Sequence, residues 1–243
     1  MKEVYRVSVR LLSGSLRFAH AGRSVALALF VQVALAVPAV AAPPPGDDAP
    51  WDVQAAHGPA QDVVIDTDEG TWMQVDVSAD GQTLVFDLLG DLYLLPITGG
   101  EAQPLRTGSA WEWQPRFSPD GGRIAFVSDR GGADNVWVCD RDGGNLRPVT
   151  KEEFRLVYAP EWMPDGDWIL VKKHFTHTRS LGAGEIWMYH QDGEGGGVEL
   201  TEKSSNTADV NEPAISRDGR WLYYSRAGDF DYNKNVYTGI YSV

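Results

Sequence analysis

Residues 113–128 read WQPRFSPDGGRIAFVS, and this stretch decides the fold. Two short apolar-alternating runs, 113–118 and 123–128, flank Asp120-Gly121. Alternation over six residues is the mark of a strand with one buried face. Asp-Gly suits a tight hairpin, because Gly takes positive φ without steric cost and Asp bonds nearby amides. The same design recurs as VDVSADGQTLVF, PEWMPDGDWILV and PAISRDGRWLYY, around Asp80-Gly81, Asp165-Gly166 and Asp218-Gly219. Successive Asp-Gly turns lie 40, 45 and 53 residues apart. Short strands repeating at that period point to an all-β propeller of four-stranded antiparallel blades.

Each unit carries two further strand signals. A third run opens with a polar residue, an aliphatic and an aromatic: Asp91-Leu92-Tyr93, Asn135-Val136-Trp137, Glu185-Ile186-Trp187 and Asn235-Val236-Tyr237. Its aromatic is expected to pack between blades, where large flat side chains bury most area. A fourth, shorter run ends near Thr107, Thr150 and Thr201. The predicted blades cover about 72–107, 113–150, 157–201 and 212–243, within a propeller spanning 62–243. No stretch beyond Val37 sustains a 3.6-residue apolar period, so no helix is predicted there.

The fourth unit lacks a fourth strand signal, and residues 62–67, DVVIDT, precede the first unit where such a strand is needed. Either that segment closes a four-bladed ring, or the chain is an incomplete part of a larger propeller. Four blades is the low end of the usual range, which favours the larger propeller.

The N-terminal residues have a different composition. Lys2, Arg6, Arg10, Arg17 and Arg23 precede VALALFVQVALAV at 25–37, and Ala39-Val40-Ala41 follows. Basic region, apolar run and small-x-small site, in that order, read as a signal peptide over 1–41. The apolar run is too short to cross a bilayer comfortably, so no stable membrane anchor is expected after cleavage. A periplasmic or secreted location follows. Residues 42–61, with Pro43-Pro44-Pro45, form a Pro-rich linker. Cleavage leaves a net charge of −17, against −13 for the whole chain. Such a surface repels nucleic acid and anionic lipid. The single cysteine, Cys139, excludes an intramolecular disulfide and reads as core filler.

The SxDG and PDG repeats resemble the TolB-type propeller repeat, also found in tricorn-like and prolyl-oligopeptidase-like peptidases. Residues 90–108, 128–162 and 172–190, the last reading KKHFTHTRSLGAGEIWMYH, resemble more specifically the N-terminal propeller region of bacterial exported metal-dependent amidohydrolases. That resemblance implies a non-catalytic scaffold or access domain, partnered by a C-terminal hydrolase domain or another protein. It implies a divalent metal only in that hydrolase domain and no cofactor in this chain. The family's His-x-His pair is absent: the histidines are His20, His57, His174, His177 and His190. Two alternatives stand beside this reading, a TolB-like periplasmic protein-interaction module and the propeller gate of an exported serine peptidase. No Gly-x-Ser-x-Gly or phosphate-loop sequence is present, so no catalytic residue is assigned.

Candidate binding residues fall in two places. The 173–185 insertion offers His174, His177 and Arg179, on the kind of loop that carries binding groups. Residues three apart in an extended segment point to opposite faces, which argues against a metal on the two histidines. The starts of the first strands are expected to face the axial channel, placing Gln74, Gln114, Ala159 and Glu212 there with Asp76 and Glu161 nearby. The turn residues Asp80, Gly81, Asp120, Gly121, Asp165, Gly166, Asp218 and Gly219 are read as structural, and Asp129-Arg130 as a hairpin with a weak surface ion pair.

Overall fold

The computed structural model describes residues 7–10, 52–55, 64–174, 184–201, 209–227 and 237–242. Every regular element among them is a β-strand. Two short strands, β1 (Val7–Arg10) and β2 (Val64–Thr67), pair antiparallel. The remaining strands form four antiparallel sheets in chain order. The first holds β3 (Val75–Val77), β4 (Thr83–Leu88), β5 (Asp91–Pro96) and β6 (Gln103–Arg106). The second holds β7 (Glu112–Phe117), β8 (Arg123–Ser128), β9 (Asn135–Asp140) and β10 (Arg147–Pro148). The third holds β11 (Val157–Trp162), β12 (Trp168–His174), β13 (Gly184–His190) and β14 (Val198–Glu199). The fourth has three described strands, β15 (Asp209–Ile215), β16 (Trp221–Ala227) and β17 (Tyr237–Ser242). First strands of successive sheets neighbour one another, which places β3, β7, β11 and β15 on the axial side.

The sheets stay in sequence order and are not closed into a ring among the described residues. This is the arrangement of an incomplete propeller. Of the segment 62–67, the described residues 64–67 form β2 and pair with β1 rather than with β17. Since β1 falls within the segment read as a leader, the sequence-predicted cleavage would leave β2 without that partner.

The Asp-Gly hairpins are built by one hydrogen-bond set. In the second blade, Gly121 N–H donates to Ser118 O, Gly122 N–H to Asp120 Oδ1 and Arg123 N–H to Ser118 Oγ. Gly121 has φ +70°, a conformation that favours glycine. The Ser hydroxyl also bonds the Asp carboxylate at Ser78–Asp80 and Ser216–Asp218, at 2.6 Å each. In the third blade Met163 replaces the Ser and is buried in the seam with the fourth blade. Its turn keeps the backbone bonds, with Gly166 N–H on Met163 O.

In the first three blades the polar residue opening the third strand ties the blade's outer end. Asn135 Oδ1 accepts from Thr150 Oγ1 at 2.7 Å and from Glu152 N–H at 2.7 Å. Glu185 accepts from Thr201 Oγ1, and Thr201 Oγ1 in turn accepts from Ile186 N–H. Asp91 Oδ1 accepts from Gly108 N–H. These bonds explain why a polar residue and a Thr sit some 15 positions apart in blades two and three.

Apolar side chains dry the seams. Val85 and Leu92 of the first blade pack with Phe117, Ile124, Phe126 and Cys139 of the second, and Trp137 joins them. Val127, Val136 and Val149 of the second blade meet Val157, Trp162 and Ile169 of the third. Each such side chain contributes about 1.5–3 kcal/mol by leaving water. Burial pushes the Cys139 thiol up to about 12, so it stays a neutral filler.

Candidate functional site

The first strands of blades two to four share a local break. Their ladders shift register between Trp113 and Arg116, Tyr158 and Glu161, and Asn211 and Ala214. The extra pair in each case is X-Pro: Gln114-Pro115, Ala159-Pro160 and Glu212-Pro213. Gln114, Ala159 and Glu212 stand at φ +53°, +55° and +55°. Proline has no N–H to give the ladder and is tolerated at bulges, while an αL residue starts the bulge. In blades two and three the freed N–H of X turns sideways toward the preceding blade. Gln114 N–H donates to Asp87 Oδ2 of the first blade at 2.8 Å, and Ala159 N–H donates to Gln114 Oε1 at 2.7 Å. Gln74 N–H reaches Asp87 Oδ1, also at 2.8 Å.

Thus Gln114, expected as a channel-facing binding group, spends its amide oxygen as a strut between blades two and three. Gln74 and Gln114 hold Asp87 through their backbones. Burial raises the Asp87 pKa despite these two N–H donors. Ala159 has no side-chain acceptor to pass on, and the next seam uses a different device. Lys172 Nζ, fully buried on β12, donates to Asp209 Oδ1 and Asn211 Oδ1 of the fourth blade and lies 5.2 Å from the Tyr158 ring centroid. Glu212 turns to Ser225 of its own blade at 3.3 Å.

On the side of the Asp-Gly turns, the first strands line a cavity of about 610 Å³. Asp76, Arg116, Glu161, Ser216 and Arg217 are among its lining groups. Arg116 and Glu161 stand 4.0 Å apart, and Asp76 Oδ2 accepts from Phe117 N–H at 2.8 Å. Burial pushes the Glu161 carboxyl up to about 7; Arg116 opposes the shift and Asp76 adds to it. The passage therefore presents charge of both signs and one carboxyl that titrates near neutrality. It can hold or admit a polar solute. Asp76 and Glu161 both line this passage.

His174 is buried at the end of β12, with Nε2 3.4 Å from Tyr158 Oη and its ring edge-on to Tyr158. His177 and Arg179 lie outside the described residues. Among the described residues no three His, Cys, Asp or Glu side chains stand close enough together to hold a metal ion.

Two features escaped the sequence reading. The Asp129-Arg130 pair is a correction: Arg130, its side chain 10% exposed, bonds the buried Glu112, so this is no surface pair. Asp129 instead accepts from Trp111 N–H at 2.8 Å. Glu112 and Arg130 are 18 positions apart, and nothing local signals their meeting. The X-Pro bulges, by contrast, had a visible signal, since Pro115, Pro160 and Pro213 each fall five residues before the turn Asp.

Comparison with known proteins places this geometry. Residues 59–237 match the model of the TolB beta propeller domain. An uncharacterized peptidase, YuxL, of Bacillus subtilis is 33% identical over 162 residues, covering 53% of this chain and 23% of that protein. The chain thus spans less than a quarter of that relative's length. Among solved structures, a putative TolB from Agrobacterium tumefaciens superposes with a TM-score of 0.60 at 20% identity, covering 76% of this chain and 67% of that one. A puromycin-hydrolyzing peptidase of Mycobacterium tuberculosis gives a TM-score of 0.53 at 16% identity, covering 79% of this chain and 34% of that one.

Proposed function

We propose a role that starts from membership: this chain belongs to the TolB β-propeller family, and it serves as the non-catalytic access domain of an exported hydrolase. The observation that carries the reading is the axial cavity. It is polar and charged through Asp76, Arg116, Glu161 and Arg217, yet its serines are committed to the hairpins, with Ser118 and Ser216 bonded to Asp120 and Asp218. Such a passage selects what enters and does no bond-breaking of its own. Reaction chemistry then belongs to a partner hydrolase domain.

The identity of that domain is the finer part of the proposal. The likeness of residues 172–190 to exported amidohydrolases supports a metal-dependent partner, with the metal held there and not in this chain. The peptidase names carried by relatives support a serine-peptidase partner instead. Export by cleavage near Ala41 and a periplasmic or secreted location are part of the same proposal. So is a larger propeller, completed by further blades.

The full reading frame separates the partners. A His-x-His motif opening a β/α barrel supports the amidohydrolase, and Gly-x-Ser-x-Gly supports the peptidase. A stop after further blades alone would replace both with a protein-interaction module. The access role itself is tested on the purified chain, which should hydrolyse neither amide nor ester substrates. Activity that co-purifies with the chain and disappears on His174→Ala would overturn it.

A further inference from the structure

The face opposite the Asp-Gly turns carries a cleft of about 410 Å³ between blades one and two. Trp72, Trp111 and Trp113 line it, together with the carboxylate residues Asp87 and Glu112; no lysine or arginine does. The Trp111 ring lies over Gly90, where an added Cβ would come within 2.7 Å of the ring. One face of this indole is therefore clamped on backbone, while the residue remains 57% exposed. Glu112 N–H donates to Gly90 O at 2.8 Å and fixes the approach of the two segments. Trp113 stacks on Tyr158 at 6.2 Å, which holds the inner wall.

Folding alone does not account for the rim. Leu89 stands at φ +56° in the turn between β4 and β5 and is 55% exposed. Asn or Gly would suit that turn better and cost less. Trp72 stands at φ +57° and is 99% exposed. Backbone strain combined with exposed apolar surface concentrates where a ligand is bound.

The charges select the ligand. Glu112 is matched by Arg130. Among the described residues Asp87 accepts two backbone N–H groups, and Arg116, which acts on it from the turn side, is not part of the cleft lining. Asp129 adds a further carboxylate beside the Trp111 backbone. Indole faces attract cations through the ring quadrupole, Trp most strongly. A buried carboxylate behind those rings adds to the same attraction. An anion would face the Asp87 and Asp129 carboxylates with no lysine or arginine in the lining to offset them, and a neutral apolar group would gain nothing from Asp87.

We propose that the Trp72–Trp111–Trp113 cleft is a binding site for an organic cation of the alkylammonium type. This goes beyond the access role and does not depend on which hydrolase is the partner. The cation can come as a free small molecule or as a side chain of a protein segment.

The test titrates the full chain with choline and with 3,3-dimethylbutan-1-ol, its uncharged isostere, reading tryptophan fluorescence. Choline should quench saturably, and the alcohol should bind at least about ten-fold more weakly. Trp111→Ala and Trp111→Leu should both lose the choline response, the second keeping apolar cover over Gly90. Near-ultraviolet circular dichroism reports that each variant is folded. A peptide bearing trimethyl-lysine separates the sources: tighter binding than choline supports a protein-borne cation, and equal binding supports a free one. Equal affinity for the alcohol would overturn the proposal, as would choline binding retained in folded Trp111 variants.

Discussion

The seams inside the molecule and the two outer faces of the blade series use equivalent positions and reach opposite results. On the first strands, Phe117 and Trp162 are 7% and 5% exposed where each blade meets the one before it, while the equivalent Val77 of the first blade is 47% exposed. On the second strands, Val85, Ala125 and Leu170 are fully buried against the following blade, while the equivalent Tyr223 of the fourth blade is 39% exposed. The residue types are much the same, so the difference lies in what lies alongside. A blade face is built to be covered, and stability in this fold is held between blades more than within them.

The largest effect should come from the interior. Phe126→Ala removes a fully buried ring from the seam between blades one and two. It should cost about 3–5 kcal/mol in urea unfolding. Val77→Ala on the outer face of the first blade should stay within about 0.5 kcal/mol. Equal losses at the two sites would mean that the outer face is covered, and the comparison would fail.

The Glu112–Arg130 pair sharpens the same contrast with charge. Arg130→Met leaves Glu112 buried with Arg106 4.0 Å away as its remaining cation. The loss should approach about 3 kcal/mol, the cost of stranding a buried charge. Adding Glu112→Gln should recover most of it, because the stranded charge is then gone. A double-mutant cycle measured by thermal unfolding checks both statements. If the pair behaved as a surface bridge, each variant would shift stability by well under about 1 kcal/mol.

What could be read from the sequence follows from the range of the forces involved. Asp-Gly turns and two-residue alternation are local, so blade order and the strand-turn-strand core of each repeat were legible at once. The polar-aliphatic-aromatic opening of the third strands was legible as a pattern, but its reason was not. That reason is a bond from Asn135 to Thr150, across 15 residues. Seam chemistry was the least legible part. Lys172 looks like a surface lysine in a loop-flanking run, and only the neighbouring blade reveals Asp209 and Asn211 as its partners. Likewise the indoles of Trp72, Trp111 and Trp113 are scattered over 41 positions and share a cleft only once the blades stack.

A smaller effect belongs to the inter-blade strut. Gln114→Ala deprives the Ala159 N–H of its acceptor without emptying a core site. The expected loss is about 1–2 kcal/mol, the range for an unsatisfied polar group near a partly wet passage. Hydrogen exchange at Ala159 should accelerate more than exchange at Val127, which lies inside a seam. Uniform acceleration at both would show that the strut carries global stability instead of local order.

The smallest effect is set by pH, and its sign is fixed by Glu161. Its folded pKa, about 7, lies above the unfolded value near 4.5, mainly because burial disfavours the charged form. The folded state therefore binds the proton more tightly. Below about pH 4.5 both states are protonated, and this group leaves stability unchanged. Between about 4.5 and 7 the unfolded chain releases its proton first, so stability declines as pH rises. Above about 7 the penalty is constant. Glu161→Gln removes the titration, so its stability relative to the parent should climb across that window and level off above it. Arg116 tempers the gain, because the ionised carboxylate it faces at 4.0 Å is partly compensated and partly open to solvent. A parent whose stability rises between pH 5 and 7 relative to Glu161→Gln would mean that the Arg116 attraction outweighs burial. The turn-side passage would then hold a stable ion pair, and its carboxyl would not switch near neutrality.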